Sequence, residues 1–195
     1  MADKGACLVI GAGDDTGAAI GRAFAREGLV SCLVRRERHA EQLEALAQSI
    51  RDEGFEALAM TGDAREEDEV IALVDRIEAE VGALDLVICN VGGNVRFALR
   101  DTTARVFRKV WEMACFAGFL AGREAANYMV PRGHGAIFLT GASASMRGTS
   151  GYGAFSAAKA GQRALAQSMA KELGPQNIHV AHLVIDAGVD TAFVR

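Results

Sequence analysis

The run Leu8-Val9-Ile10-Gly11-Ala12-Gly13-Asp14-Asp15-Thr16-Gly17-Ala18-Ala19-Ile20-Gly21 joins a short apolar segment to a small-residue helical pattern through a glycine-rich turn. The apolar segment, Ala6 to Ile10, has the length and uniform hydrophobicity of a strand buried on both faces. Glycines after it let the backbone turn sharply and approach an anion, while the next helix offers free N–H groups and a positive dipole end. Gly11, Gly13, Thr16, Gly17 and Ile20 are the candidate residues of such a site. The acids Asp14 and Asp15 sit awkwardly beside an anion; we read Asp14, Asp15 or Thr16 as a helix cap.

Outward from this turn the same alternation repeats. Helical spacing over Ile20–Glu27 closes at Gly28, and Val30–Val34 is a second strand. Leu43, Leu46, Ala47 and Ile50 mark a helix face ending at Gly54, and Phe55–Met60 is the third strand. Val70, Leu73, Val74, Ile77 and Val81 mark another helix, and Leu84–Cys89 is the fourth strand. A long helix is predicted over Thr103–Met129, with Thr102 as its cap and Pro131 and Gly133 as its stop. Ala136–Thr140 is the fifth strand, a helix follows over Gly151–Leu173, and Ile178–Ile185 is the sixth strand. Apolar strands separated by helices are accommodated by a Rossmann-like doubly wound α/β fold, a parallel sheet with helices on both faces. The pattern shows no repeat or linker, so residues 1–195 read as a single domain.

Composition narrows the functions. The 195 residues carry 24% charged and 50% hydrophobic side chains with a net charge of −4, which argues against a nucleic-acid partner. No apolar run reaches the ~20 residues of a bilayer span, so no membrane association is expected. Met1-Ala2-Asp3-Lys4 lacks the layout of a secretory signal. Cys7, Cys32, Cys89 and Cys115 stand apart without a Cys-x-x-Cys pair, each in an apolar stretch. They read as reduced, buried thiols rather than disulfides or metal ligands, and the protein as cytoplasmic with no metal site.

The second strand ends in Arg35-Arg36. A dinucleotide fold that takes NAD places an acid there to hold the ribose 2′-OH; arginine suits a 2′-phosphate, so NADP is favoured over NAD. The chain has no Gly-x-x-x-x-Gly-Lys-Ser/Thr sequence, which argues against a nucleoside triphosphatase.

With Asp63 after the third strand, Asn90-Val91-Gly92 after the fourth and Lys159 on the helix after the fifth, the chain resembles the short-chain dehydrogenase/reductase family over essentially its whole length. The resemblance leaves two alignments of the turn open, one matching Gly11 and Gly21 and the other Gly13, Gly17 and Ala19. It implies that Asp63 bonds the adenine, although a helix cap is the competing reading. It also implies that Asn90 and Gly92 lie along the ribose and cofactor bridge. Homo-oligomers through the two long Ala- and Gly-rich helices are implied as well, as is a small-molecule substrate. Family chains continue into a seventh strand; here the sequence stops at Arg195, so the C-terminal strand is expected to be missing and the sixth strand to be an edge.

The family's chemistry uses Asn, Ser, Tyr and Lys. Lys159 is present within Phe155-Ser156-Ala157-Ala158-Lys159, but Phe155 occupies the tyrosine position and is inert. The serine position falls at Ala142 and the helical asparagine at Cys115. Thr140 and Ser143 are the candidates to orient a ligand, and Asp186 replaces a proline at the mouth of the site. Tyr152 and His134 read as helix-start and solvated residues. Two functions follow as expectations: an NADP(H)-dependent oxidoreductase with a non-standard proton route, or a catalytically silent NADP-binding protein acting as sensor or partner subunit.

Overall fold

The computed structural model describes residues 4–13, 15–187 and 189. Six strands, β1 (Ala6–Ile10), β2 (Val30–Arg35), β3 (Ala57–Thr61), β4 (Leu84–Cys89), β5 (Gly135–Ala142) and β6 (Ile178–Ile185), form one sheet in the order β3-β2-β1-β4-β5-β6. Every pairing is parallel. The chain winds outward from β1 to β3, crosses back, and winds outward again from β4 to β6. This reversal leaves a crevice at the strand ends between β1 and β4, where the connections diverge to opposite faces.

The helices are α1 (Thr16–Arg26), α2 (Ala40–Asp52), α3 (Glu67–Glu80), α4 (Ala104–Trp111), α5 (Ala117–Arg132) and α6 (Gly153–Leu173). Period-two alternation sorts the buried strand residues between two cores. Cys7, Val9, Leu33 and Ile88 pack with Leu43, Ala47 and Ile50 of α2 on one face. Leu8, Ile10, Val87 and Leu139 pack with Val74 of α3, Leu120 and Met129 of α5, and Ala166 of α6 on the other. The four cysteines are free and buried. Burial pushes the Cys32 thiol up to about 12 and raises that of Cys7 further, so both are inert apolar filling.

Several boundaries differ from the sequence expectation. Helix α1 starts at Thr16 rather than Ile20, and Asp15, its cap residue, makes no side-chain capping bond; the backbone closes the turn instead, with Ala18 N donating to Gly13 O at 2.7 Å. Asp14 lies outside the described residues. Thr103, not Thr102, caps α4: its hydroxyl accepts from Val106 N at 3.2 Å, whereas the Thr102 hydroxyl donates to Ala98 O. The single predicted helix over Thr103–Met129 is interrupted by a π turn at Glu112–Phe116, and α5 runs through Pro131 to a left-handed Gly133 with φ 66°. β3 starts two residues later than expected, β5 is longer at both ends, and α6 begins after Gly151, whose φ is +83°. β6 matches its predicted limits and lies at an edge of the sheet, with Leu183 and Val184 exposed.

Among the described residues no helix is long and apolar enough to cross a membrane.

Candidate functional site

The β1–α1 turn is a close stack of backbone. Gly11 N and Ala12 N both donate to Val34 O, at 3.0 and 3.2 Å. Gly11 has φ +83°, and a Cβ there would lie 2.5 Å from Asn90 O. A Cβ on Gly17 would lie 2.4 Å from Gly11 O, and one on Gly21 would lie 2.5 Å from Leu33 Cδ2. These three glycines are therefore required by the turn and by the packing of α1 on the sheet. Gly13 differs: a Cβ there would meet nothing within 4 Å, because Gly13 faces the crevice. Asn90 locks the opposite wall to the turn, its Nδ2 donating to Gly11 O at 3.2 Å and its backbone N to Ile10 O at 2.8 Å.

Gly11, Gly13, Arg35, Arg36, Asp63, Asn90 and Gly92 line one cleft. Of the predicted binding residues, Thr16, Gly17, Ile20 and Lys159 are not on its wall. Gly17 is buried in packing, and Thr16 and Ile20 are half-buried on α1. His39 and Arg65 line the same end of the cleft as the arginine pair and were missed from sequence. Arg65 also answers the question of Asp63. The helix cap is Glu66, while the Asp63 carboxylate accepts from Arg65 Nε at 2.8 Å and Nη2 at 2.5 Å. Those bonds hold the Asp63 carboxyl below the usual range, and burial together with the nearby Arg38 lowers Arg36. This end of the cleft is thus strongly cationic, with Asp63 already engaged by a neighbour.

The three positions that the resemblance aligns with the family's Tyr, Asn and Ser come together in space. Phe155 and Cys115 are buried in one small cluster with Val110, Ala114, Ala154 and Ala158, and Ala142 packs against it. Together these residues form one apolar patch. Lys159, one turn along α6 from Phe155, is 3% exposed. Its Nζ donates to Val91 O at 3.0 Å, Thr140 O at 2.6 Å and Gln162 Oε1 at 3.1 Å. Burial pushes it down to about 8. Thr140 therefore contributes its backbone carbonyl to Lys159. Ser143 contributes to a different contact: its hydroxyl donates to Asp186, which Arg147 grips with two bonds at 3.1 and 3.2 Å. The loops after β5 and β6 are tied together there. Tyr152 is the residue preceding α6, its carbonyl accepting from Ser156 N, and the His134 side chain is 69% exposed near Asp85.

Gln162 was also missed. Its signal is a polar residue on the buried face of α6, one helical turn beyond Lys159.

A family model described as short chain dehydrogenase matches residues 5–195. The chain belongs to the short-chain dehydrogenase family. Within that family it is 32% identical over 188 residues to the cis-4-hydroxycyclohexanecarboxylate dehydrogenase of Sinomonas cyclohexanicum, covering 96% of this chain and 74% of that protein. Across three curated relatives the chain spans 65% to 74% of their lengths. The crystal structure of a short-chain dehydrogenase from Rhodopseudomonas palustris is 52% identical, with a TM-score of 0.90 over 97% of this chain and 87% of that one. A gluconate 5-dehydrogenase from Burkholderia cenocepacia, solved with NADP and tartrate, is 27% identical with a TM-score of 0.85, covering 93% and 71%. The cleft at the β1–β4 reversal and the apolar cluster around Phe155 both lie within the matched residues.

Proposed function

We propose that this protein is an NADP(H)-dependent oxidoreductase of the short-chain type whose proton route does not pass through a tyrosine. The observation that carries the reading is the paired composition of the site: a cationic, glycine-walled cleft joined to an apolar patch. Arg35, Arg36, His39 and Arg65 around one end suit a 2′-phosphate, and open space at Gly13 and Gly92 suits a pyrophosphate. When bound, the dinucleotide supplies hydride. The chain's own residues hold and orient: Gly11 and Asn90 fix the turn, the arginines would hold the distal phosphate, and Phe155, Cys115 and Ala142 offer an apolar wall with no proton donor. No side chain in that patch titrates near neutrality, so a carbonyl, which needs a proton as hydride arrives, is a poor substrate. A conjugated C=C bond is a better one, since solvent can protonate the product. A bulk-solvent proton route fits this arrangement.

The silent alternative is favoured by one specific observation, the full engagement of Lys159 by protein acceptors. NADPH consumption over carbonyl and enoyl substrates, run beside NADPH titration, separates the two. Turnover on an enoyl substrate supports the oxidoreductase; tight binding with no turnover across the panel supports a sensor or partner subunit.

We also propose a homo-oligomer through the long helices, in a reducing compartment such as the cytoplasm that keeps the four thiols free. Phe107 and Trp111 are exposed on α4, Trp111, Phe116 and Phe119 stack in sequence, and Arg123 lies 5.2 Å over the Phe119 ring. A continuous aromatic face of this kind supports burial against a second copy.

A further inference from the structure

Lys159 has three N–H donors and no acceptor capacity. All three are taken: two by the backbone carbonyls of Val91 and Thr140, and one by the Gln162 side chain. The two carbonyls belong to the loop after β4 and to β5, so neither can leave without moving the sheet end. Gln162 is fully buried, and its Nε2 has no hydrogen-bond partner among the described residues. Burying an unpartnered amide N–H is costly, of order 1–3 kcal/mol. An apolar side chain would fill the same space beside Gly118 and Leu139 without that penalty. Among the described residues, the one bond Gln162 makes with its side chain is the one to Lys159.

We propose that Gln162 is a positioning residue for Lys159: it supplies the third acceptor that holds the ammonium in the interface between α6 and the sheet, and opening of that one bond frees Lys159 to reach a bound dinucleotide. The second half rests on the function proposed above; the first half does not. The bond is the natural one to open, because it is the only one of the three made by a side chain. Lys159 thus has an anchored position, with Gln162 attached, and a reaching position with one donor turned to a ribose hydroxyl.

The titration of Lys159 reports the anchor directly. The titratable groups that face it from packed elements are Cys89 of β4, Cys115 of the π turn and His182 of β6, with Arg163 beyond His182 on α6. Burial raises both thiols above their ordinary 9.0, and burial, then Lys159 and Arg163, lower His182 below 6.5. The interval near pH 8 therefore belongs to Lys159. A hydrogen bond to the charged form favours that form, so removing the Gln162 acceptor lowers the Lys159 midpoint and adding a negative charge raises it.

The chain has four lysines, Lys4, Lys109, Lys159 and Lys171, so ¹³Cε-lysine NMR of the full chain gives four resolvable signals. Lys159→Met assigns the relevant one by its loss. The Lys159 midpoint is expected to fall by about one unit in Gln162→Met and to rise by about one unit in Gln162→Glu. Identical midpoints in the wild type and in whichever of the two variants folds would overturn the anchoring. NADPH titration tests the release: Gln162→Met is expected to bind NADPH about three- to tenfold more tightly and Gln162→Glu more weakly. Unchanged NADPH affinity with shifted midpoints would overturn the release step alone. Absence of NADPH binding in the wild type would overturn the proposed function and the release with it, while the lysine midpoints still decide the anchoring.

Discussion

Phe155 shows how one side chain changes the meaning of a site. The resemblance aligns it with a phenol; in this fold it is buried beside Cys115 and Ala142. Its ring now serves packing, so Phe155→Ala is expected to destabilise the fold by about 3 kcal/mol in denaturant unfolding. Putting the missing groups back tests the geometry from the other side. Phe155→Tyr combined with Ala142→Ser places a phenol one turn from Lys159, and carbonyl-dependent NADPH oxidation is expected to rise by about 10²-fold or more. No gain in a folded, NADPH-binding double variant would show that Lys159 does not reach the phenol. Lys159 itself makes stability depend on pH. Its folded value of about 8 lies below the ordinary 10.5, so the folded state disfavours the charge. Below pH 8 the lysine is charged in both states and the penalty is complete. As pH rises from 8 to 10.5 the folded lysine loses its proton first, and the penalty fades. Wild-type stability relative to Lys159→Met is therefore expected to rise across that interval by about 3 kcal/mol, read by denaturant melts at several pH values. A difference that is flat with pH would contradict the buried, charged lysine.

The β1–α1 turn gives the sharpest contrast between neighbouring glycines. Gly17→Ala drives a methyl into the Gly11 carbonyl and is expected to cost about 2 kcal/mol or more of stability. Gly13→Ala meets open space and is expected to leave stability within about 0.5 kcal/mol while weakening NADPH binding about tenfold or more. Equal effects of the two changes on melting would contradict the assignment of Gly13 to the cleft wall. The turn also shows what a sequence discloses at this scale. β1, β4 and β6 were legible to the residue because predominantly apolar runs stop at Gly11, Asn90 and Asp186. The π turn at Glu112–Phe116 was not, because a one-residue widening leaves the helical spacing of apolar residues almost unchanged. Thr102 and Thr103 are both competent caps, and only the tertiary path of the chain selects Thr103. The arginine pair was visible at the end of β2. Arg65, His39 and Gln162 were not, since their roles come from strands and helices brought together across the sheet.

For the whole molecule, the winding of six parallel strands places the glycine turn, the cleft and the Lys159 contacts at one end of the sheet. The arginines come from the β1–β3 half and line the cleft, while Lys159, from the β4–β6 half, sits behind its wall and bonds the carbonyl of the cleft residue Val91. The α4–α5 flank carries the aromatic face. Trp111→Ala with Phe107→Ala is expected to weaken self-association about tenfold or more, read by concentration-dependent sedimentation. A wild-type chain that sediments as a monomer at all concentrations would contradict the proposed pairing. The central claim concerns the cleft, that its cationic end selects a 2′-phosphate. Calorimetric titration of the wild type and of Arg36→Ala with NADPH and NADH tests it most directly. The wild type is predicted to bind NADPH about tenfold or more tightly than NADH, with Arg36→Ala losing most of that preference and little NADH affinity. Equal affinity of the wild type for both dinucleotides, or binding of neither, would contradict it.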